Sequence, residues 1–395
     1  PRGIDMTPSS CPLRALLPVA VLLAVVASLW SATAASARVA LETYAANPAI
    51  GRPKISPDGQ RVAAPIWKPG EDSVLIYEIN APAGVKPLSI PMPEDVEVDW
   101  VEWANDNRLL LGLAKHGTTR YRGTTYDTSV SRVVAIDRDG KNFAVLFGNT
   151  RRFRANRNLS QVVHPLPGDP NAVLMGATKD DRYNLYKVNV VDGQAELVER
   201  GTHSTYQWLT DLDGVPRARW EYRPRRDRIE LWLRQGDTSD WDKVAEYGER
   251  ELPDVNIIGF GDDPKVALVA SRQSSDRYGI YEYDMVGRKL GKLVFQHDRV
   301  DVGDPVGGPI YDPLTTRMLG VYYVDDVWER RYFDPDLARI QDKLDVTFLD
   351  AAIIRFHSWS KDRTRLIFFT EGPKDPGSYY VYDTKADHAS LIGKR

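Results

Sequence analysis

With 395 residues, 42% of them hydrophobic and 27% charged, the chain is long enough for a sizeable core, and its composition excludes disorder throughout. A formal charge of -3, with the arginines spread along the sequence, leaves no basic excess to neutralise phosphates, so nucleic acid is excluded as a partner class. The single cysteine excludes a disulfide framework.

In chain order, the first feature is an export signal. Pro1-Arg2-Gly3-Ile4-Asp5 stand ahead of Met6 and read as an upstream translation artefact or a fragment edge. Arg14 then precedes the apolar run Ala15 to Leu29, and Ala35-Ser36-Ala37 has the small-x-small pattern that signal peptidase accepts. Residues 1–37 are therefore expected to be upstream residues plus a cleavable signal peptide, and the mature chain to begin near Arg38. The run falls short of the roughly 18 apolar residues of a spanning helix, and no other stretch reaches that length. The expected location is periplasmic or secreted, with no membrane contact after cleavage. Cys11 lies before the apolar run and leaves with it. Residues 38–51 are a lead-in segment.

From residue 52 onward two short patterns alternate. The first is a polar turn, usually centred on an aspartate, that leads into an apolar strand. It occurs as Ile55-Ser56-Pro57-Asp58-Gly59-Gln60-Arg61-Val62 and Trp103-Ala104-Asn105-Asp106-Asn107-Arg108-Leu109. Looser copies are Leu166-Pro167-Gly168-Asp169-Pro170, Trp208-Leu209-Thr210-Asp211-Leu212-Asp213-Gly214, Phe260-Gly261-Asp262-Asp263-Pro264 and Tyr311-Asp312-Pro313-Leu314. The seventh, Trp359-Ser360-Lys361-Asp362-Arg363-Thr364-Arg365-Leu366, is again clear. In Ser56-Pro57-Asp58-Gly59 the proline presets φ and the glycine takes φ > 0, which makes a hairpin.

The second pattern alternates branched or aromatic residues with polar ones and closes on Asp or Asn, as in Leu75-Ile76-Tyr77-Glu78-Ile79-Asn80, Ile280-Tyr281-Glu282-Tyr283-Asp284 and Tyr380-Val381-Tyr382-Asp383. In the fourth unit Ile229-Glu230-Leu231-Trp232-Leu233 forms the strand without the closing Asp. Measured from Asp58 through Asp106, Asp169, Asp213, Asp263 and Asp312 to Asp362, the period averages about 50 residues, the range of propeller blades. The fold class predicted is all-β: a seven-bladed β-propeller over 52–395, with room for four strands in each unit. One element departs from it. Asp334-Pro335-Asp336-Leu337 puts a capping aspartate before a proline, and Leu337, Ile340 and Leu344 share a face, so a helix of roughly three turns is predicted within blade six.

The chemistry-bearing motifs are sparse. The sequence has no G-x-S-x-G elbow, no strand and helix alternation for a doubly wound sheet, and neither phosphate-binding glycine motif. His116, His164, His203, His297, His357 and His388 stand without H-E-x-x-H pairing, and each is read as surface or packed. Asp137-Arg138-Asp139-Gly140 and Asp211-Leu212-Asp213-Gly214 lack the further ligands of a calcium loop and are read as turns. Arg223-Pro224-Arg225-Arg226-Asp227-Arg228 is read as a solvated hairpin tip and Glu329-Arg330-Arg331-Tyr332 as structural ion pairing, with a carboxylate or partner clamp as the alternative. No catalytic, cofactor-binding or metal residue is assigned, and no cofactor is expected.

The turns I-S-P-D-G-Q-R-V and W-S-K-D-R-T-R-L, with strand ends such as Y-Y-V-Y-D, resemble the propeller of the prolyl oligopeptidase family, the S9 serine peptidases. Leu41 to Ser56 resembles the lead-in of exported dipeptidyl and acylaminoacyl peptidases, and W-E-R-R-Y-F-D-P-D-L at 328 to 337 resembles a helical insert late in such propellers. Other exported propellers, notably those like TolB, share the S-P-D-G turn. The resemblance implies a gating and docking propeller that covers an α/β-hydrolase catalytic domain, with the serine, aspartate and histidine beyond Arg395 and peptides as substrates. The 395 residues alone are then not expected to hydrolyse peptides. The alternative is a stand-alone periplasmic propeller that binds a protein or ligand. Without a disulfide, ring closure is expected to rest on hydrogen bonds between the first and last blades.

Overall fold

The computed structural model describes residues 48–395 apart from 69–70, 83, 149–150, 236–239, 252 and 304–306. The segments expected to be a signal peptide and its cleavage site, and most of the expected lead-in, lie outside the described residues. Among the described residues no helix is long and apolar enough to cross a membrane.

Alternating apolar and polar residues make strands, and tight turns fold the described strands into seven sheets, antiparallel and in sequence order except that Asn158–Leu159 pairs parallel with Thr124–Asp137 in blade two. The protein is a seven-bladed β-propeller. Its inner strands are Lys54–Ile55, Val96–Trp103, Val162–His164, Thr205–Thr210, Val255–Phe260, Gly308–Tyr311 and Ile353–Trp359. Every inner strand begins on one face of the ring, called here the mouth face, and ends in a polar turn on the opposite, turn face. The outer strand of blade seven, His388–Lys394, runs antiparallel to its neighbour and returns to the mouth face.

Strand alternation sends successive side chains into the two flanking interfaces, so each interface holds its own apolar cluster. Leu110, Val133, Phe147, Met175 and Tyr186 fill the one between blades two and three. Trp220, Leu231, Phe260, Val269 and Tyr281 fill the one between blades four and five. Among the described residues, the buried apolar cluster between blades three and four is small: Leu174, Leu185 and Trp208.

Blade six departs from the four-strand expectation. Its sheet has three strands, Gly308–Tyr311, Met318–Asp325 and Val327–Tyr332, and the chain then enters the helix Pro335–Thr347 on its way to blade seven. The cap predicted from the sequence forms: Asp334 accepts from the backbone N–H groups of Asp336 and Leu337 at 3.1 and 3.0 Å. Leu337, Ile340 and Leu344 are buried against Tyr332, Ile354 and Trp359. A helix delivers its apolar stripe every 3.6 residues, so it covers this interface without extending the ladder.

The ring closes without a shared strand, since the described strands of blades one and seven form separate sheets. Hydrogen bonds cross this seam as expected: Ile55 N–H to Ser358 Oγ at 3.1 Å, Lys361 N–H to the Pro57 carbonyl at 2.8 Å, and Arg365 Nη1 to the Gly59 carbonyl at 2.7 Å. Beside them Ile50, Ile55 and Val62 pack on Ile367, Phe369 and Val381. Gly59 is required twice over. Its φ is +70°, and a Cβ there would stand 3.0 Å from the Ser360 Cβ across the seam.

Candidate functional site

The inner strands surround a cavity of about 1380 Å³, lined from blades one, two, three, six and seven. Trp67, Trp100, Phe356 and His357 supply aromatic wall. Trp100 reaches its place because Gly112 lies beneath it, where a Cβ would meet the indole at 2.2 Å. Polar groups divide by side. Arg52 and Lys54 come from blade one, and Asp99 and Glu102 from blade two, with Lys54 ion-paired to Glu102 across the interface.

Burial sets the protonation of two of these groups. The Asp99 carboxyl is raised above its usual value by burial and then by the Glu97 charge. The His357 imidazole is pushed down to about 3 by burial, and next by the Arg52, Lys54 and Arg355 cations. It is therefore neutral at physiological pH, with one ring nitrogen a donor and the other an acceptor. Among the described residues no hydrogen bond reaches the ring, which stands edge-on to Phe369 and Tyr379.

The turn-face end of the cavity is crossed by a strap. The turn that begins Asp312-Pro313-Leu314-Thr315 in blade six lines the cavity, and Thr316 Oγ1 lies 3.2 Å from Nε2 of His164 in blade three. These blades are not neighbours in the ring, so the bond spans the opening. His164 Nδ1 accepts the Leu166 N–H at 3.1 Å, which leaves Nε2 to carry the ring proton and donate to the threonine hydroxyl. Burial holds His164 below its ordinary pKa against the pull of Asp211 and Asp213, so the neutral tautomer persists. Other turn-face contacts fix the rim: Asn105 Nδ2 donates to the Pro170 carbonyl at 2.6 Å, and Arg317 pairs with Asp262 at 2.5 Å.

The turn aspartates are structural. Asp58, Asp169, Asp263, Asp312 and Asp362 each accept a backbone N–H two residues on. In blade two Asn105, not Asp106, holds the turn, accepting from Asn107 and Arg108 at 2.8 Å each, and in blade four Asp211, not Asp213, accepts from Asp213 and Val215. An asparagine oxygen accepts as an aspartate does, and the earlier residue of each pair has the two-residue reach.

Of the residues singled out in the sequence, Asp137 binds Arg108 at 2.8 Å and Asp139 holds the Lys141 N–H. No group of three or more metal-ligating side chains able to hold an ion occurs among the described residues. Arg223 anchors the base of its hairpin tip on Glu221, Glu230 and Ser204, and Arg330 pairs with Asp345 of the helix at 3.0 Å. Of the histidines, the fold brings two to the channel: His164 at its strapped end and His357 in its wall.

No family model and no curated protein matches this sequence. Solved structures do match in shape. A prolyl endopeptidase from a study of two such enzymes superposes with a TM-score of 0.51 at 9% identity, over 88% of this chain and 50% of that one. The chain has the propeller fold of the prolyl endopeptidases. It spans about half the length of that enzyme. Prolyl oligopeptidase B from Galerina marginata matches at a TM-score of 0.49 with 10% identity, over 88% of this chain and 50% of that one. The β-propeller domain of the Trilobed protease from Pyrococcus furiosus, described as having an open velcro topology, matches at 0.42 with 10% identity, over 88% and 98%.

Proposed function

We propose that this propeller is the gating and docking domain of an exported serine peptidase of the prolyl oligopeptidase type, and that an α/β-hydrolase domain follows Arg395. The observation that carries the reading is a channel strapped at its turn face by His164 and Thr316, while the strand ending at Lys394 leads the chain to the mouth face. A domain attached there sits over the mouth, and what reaches it must fit beside or through a ring of this size. The half-length match to a prolyl endopeptidase supports the same arrangement. The channel supplies groups suited to binding a peptide: indoles for apolar side chains, Asp99 for an amine, Arg52 for a carboxylate and a neutral His357 for a peptide group. Export belongs to the same proposal, with the signal peptide removed near Arg38.

The test uses the whole natural gene product. A fluorophosphonate probe is expected to label a serine beyond Arg395 and leave residues 38–395 unlabelled, and short chromogenic peptides are expected to be cleaved while folded proteins are not. A gene product that takes no label contradicts the peptidase reading and favours a stand-alone binding propeller.

A further inference from the structure

Blade two carries the longest strands of the ring, Arg108–Tyr121 and Thr124–Asp137, at 14 residues each. Their inner neighbour begins only at Val96, which pairs with Lys115. Beyond that point the two strands continue together as a ribbon, Tyr121 opposite Thr124, rising from the mouth face with no third strand on its channel side among the described residues.

The phase of the ladder says which groups face the channel. Arg138 N–H donates to the Asn107 carbonyl, and Ala104 N–H to the Arg108 carbonyl, so odd residues of the first arm bond the second arm and even ones bond the inner strand. Past Lys115 the even residues are His116, Thr118 and Arg120. Their N–H and C=O groups have no partner among the described residues and lie in line with the inner strand, at the rim of the channel. One face of the ribbon is apolar: Tyr121, Tyr126 and Val130 lie on it together and are 61%, 50% and 39% exposed. At the base Lys115 pairs with Asp95 and His116 with Glu97, whereas Arg120 and Arg122 near the tip have no ion pair among the described residues.

We infer that the edge at His116, Thr118 and Arg120 receives an extended peptide with acidic side chains, which adds as a strand in line with Val96–Trp103, ahead of its first residue. This deepens the gating reading and rests on it. A peptide pairing antiparallel to the first arm runs in the direction of the inner strand, so its C-terminal end leads into the channel. Main-chain bonds hold it whatever its sequence, alternate side chains meet the tyrosine face, and Arg120 and Arg122 favour carboxylates. The edge is too short for a second copy of the chain to bind stably through it. Six paired residues cover far less than the roughly 800 Å² per partner of a standard interface.

The test compares two prolines in the secreted chain. Thr118→Pro removes a donor on the channel edge, and Thr125→Pro removes one on the opposite edge of the same ribbon; neither N–H serves the hairpin itself. The probe is a fluorescein-labelled soluble peptide of alternating threonine, valine and glutamate, followed by anisotropy and by hydrogen exchange of the amides of residues 116, 118 and 120. The expected result is about tenfold weaker binding for Thr118→Pro, wild-type binding for Thr125→Pro, and protection of those three amides by the peptide. Wild-type binding that neither proline weakens, or both weaken equally, overturns the edge site while leaving peptide docking elsewhere in the channel. Failure of the wild type to bind any such peptide also overturns it, and the serine-labelling experiment then judges the gating reading separately. Protection that rises with protein concentration in the absence of peptide overturns it in favour of a second copy.

Discussion

Blade four has two faces made by the same strands and built from opposite chemistry. Toward blade five, Ala218, Trp220, Leu231 and Leu233 pack into the largest side chains of that interface. Toward blade three, the alternate positions are Arg217, Arg219, Glu221, Arg223, Glu230, Trp232 and Arg234. Glu221, 1% exposed, lies between Arg219 at 3.0 Å and Arg223 at 2.7 Å. Arg234 reaches Glu199 of blade three at 2.8 Å, and Arg219 and Arg234 stack on Trp241 with 4.5 and 4.3 Å to the ring centre. An apolar interface needs only matching shape, whereas this one needs every charge to keep its partner, because desolvated ions are costly alone. Stability in this ring is thus unevenly distributed among interfaces that share one architecture.

Removing a partner sharpens the contrast most. Glu221→Ala takes the carboxylate from Arg219 and leaves Arg223 with Glu230 as its remaining carboxylate, and is expected to cost about 3–5 kcal/mol, read as a fall in the urea midpoint. On the opposite face Leu231→Ala is expected to cost about 3 kcal/mol by leaving a cavity, with no dependence on salt or pH. At the terminal seam Gly59→Ala combines an unfavourable φ with a close approach to Ser360, for an expected loss of about 2 kcal/mol. Asp334→Ala, which uncaps the helix of blade six, is expected to cost about 1 kcal/mol.

Acid provides the most selective effect. His357 stays neutral in the folded ring but protonates near pH 6.5 when unfolded, so its contribution is present above that value and is lost as pH falls toward 3. The drop in urea midpoint from pH 7 to pH 5 is therefore expected to be smaller for His357→Gln than for the wild type. Glu230 acts lower. Burial favours its neutral form, but the hydrogen bond and charge of Arg223 outweigh that and hold its carboxyl below the ordinary range. Its stabilisation is present above the unfolded carboxylate pKa and fades as pH falls through the lower folded one.

The blade repeat was legible because it is written locally. A turn such as Ser56-Pro57-Asp58-Gly59 carries its own φ preferences, and the Asp334 cap needs only its next three residues. The third strand of blade six ending in a helix was half legible: the cap signalled the helix, but nothing local said that no fourth strand would form. The charged face of blade four shows the alternation Arg217-Ala218-Arg219-Trp220-Glu221-Tyr222-Arg223, which by pattern alone reads as a strand with one solvated side. Only the neighbouring blade buries it. The His164–Thr316 strap joins residues 152 positions apart, and the free edge at Thr118 depends on where a different strand begins. Such features belong to the assembled ring, and residue type alone gives no sign of them.

The uneven distribution of stability is tested most directly by hydrogen exchange with mass spectrometry at pH 7 on the wild type and on Glu221→Ala. In the variant, segments 195–199 and 216–234 are expected to lose protection together, before 54–66 and 365–383 at the terminal seam. Earlier loss at the terminal seam, or one simultaneous loss around the whole ring, would contradict the account.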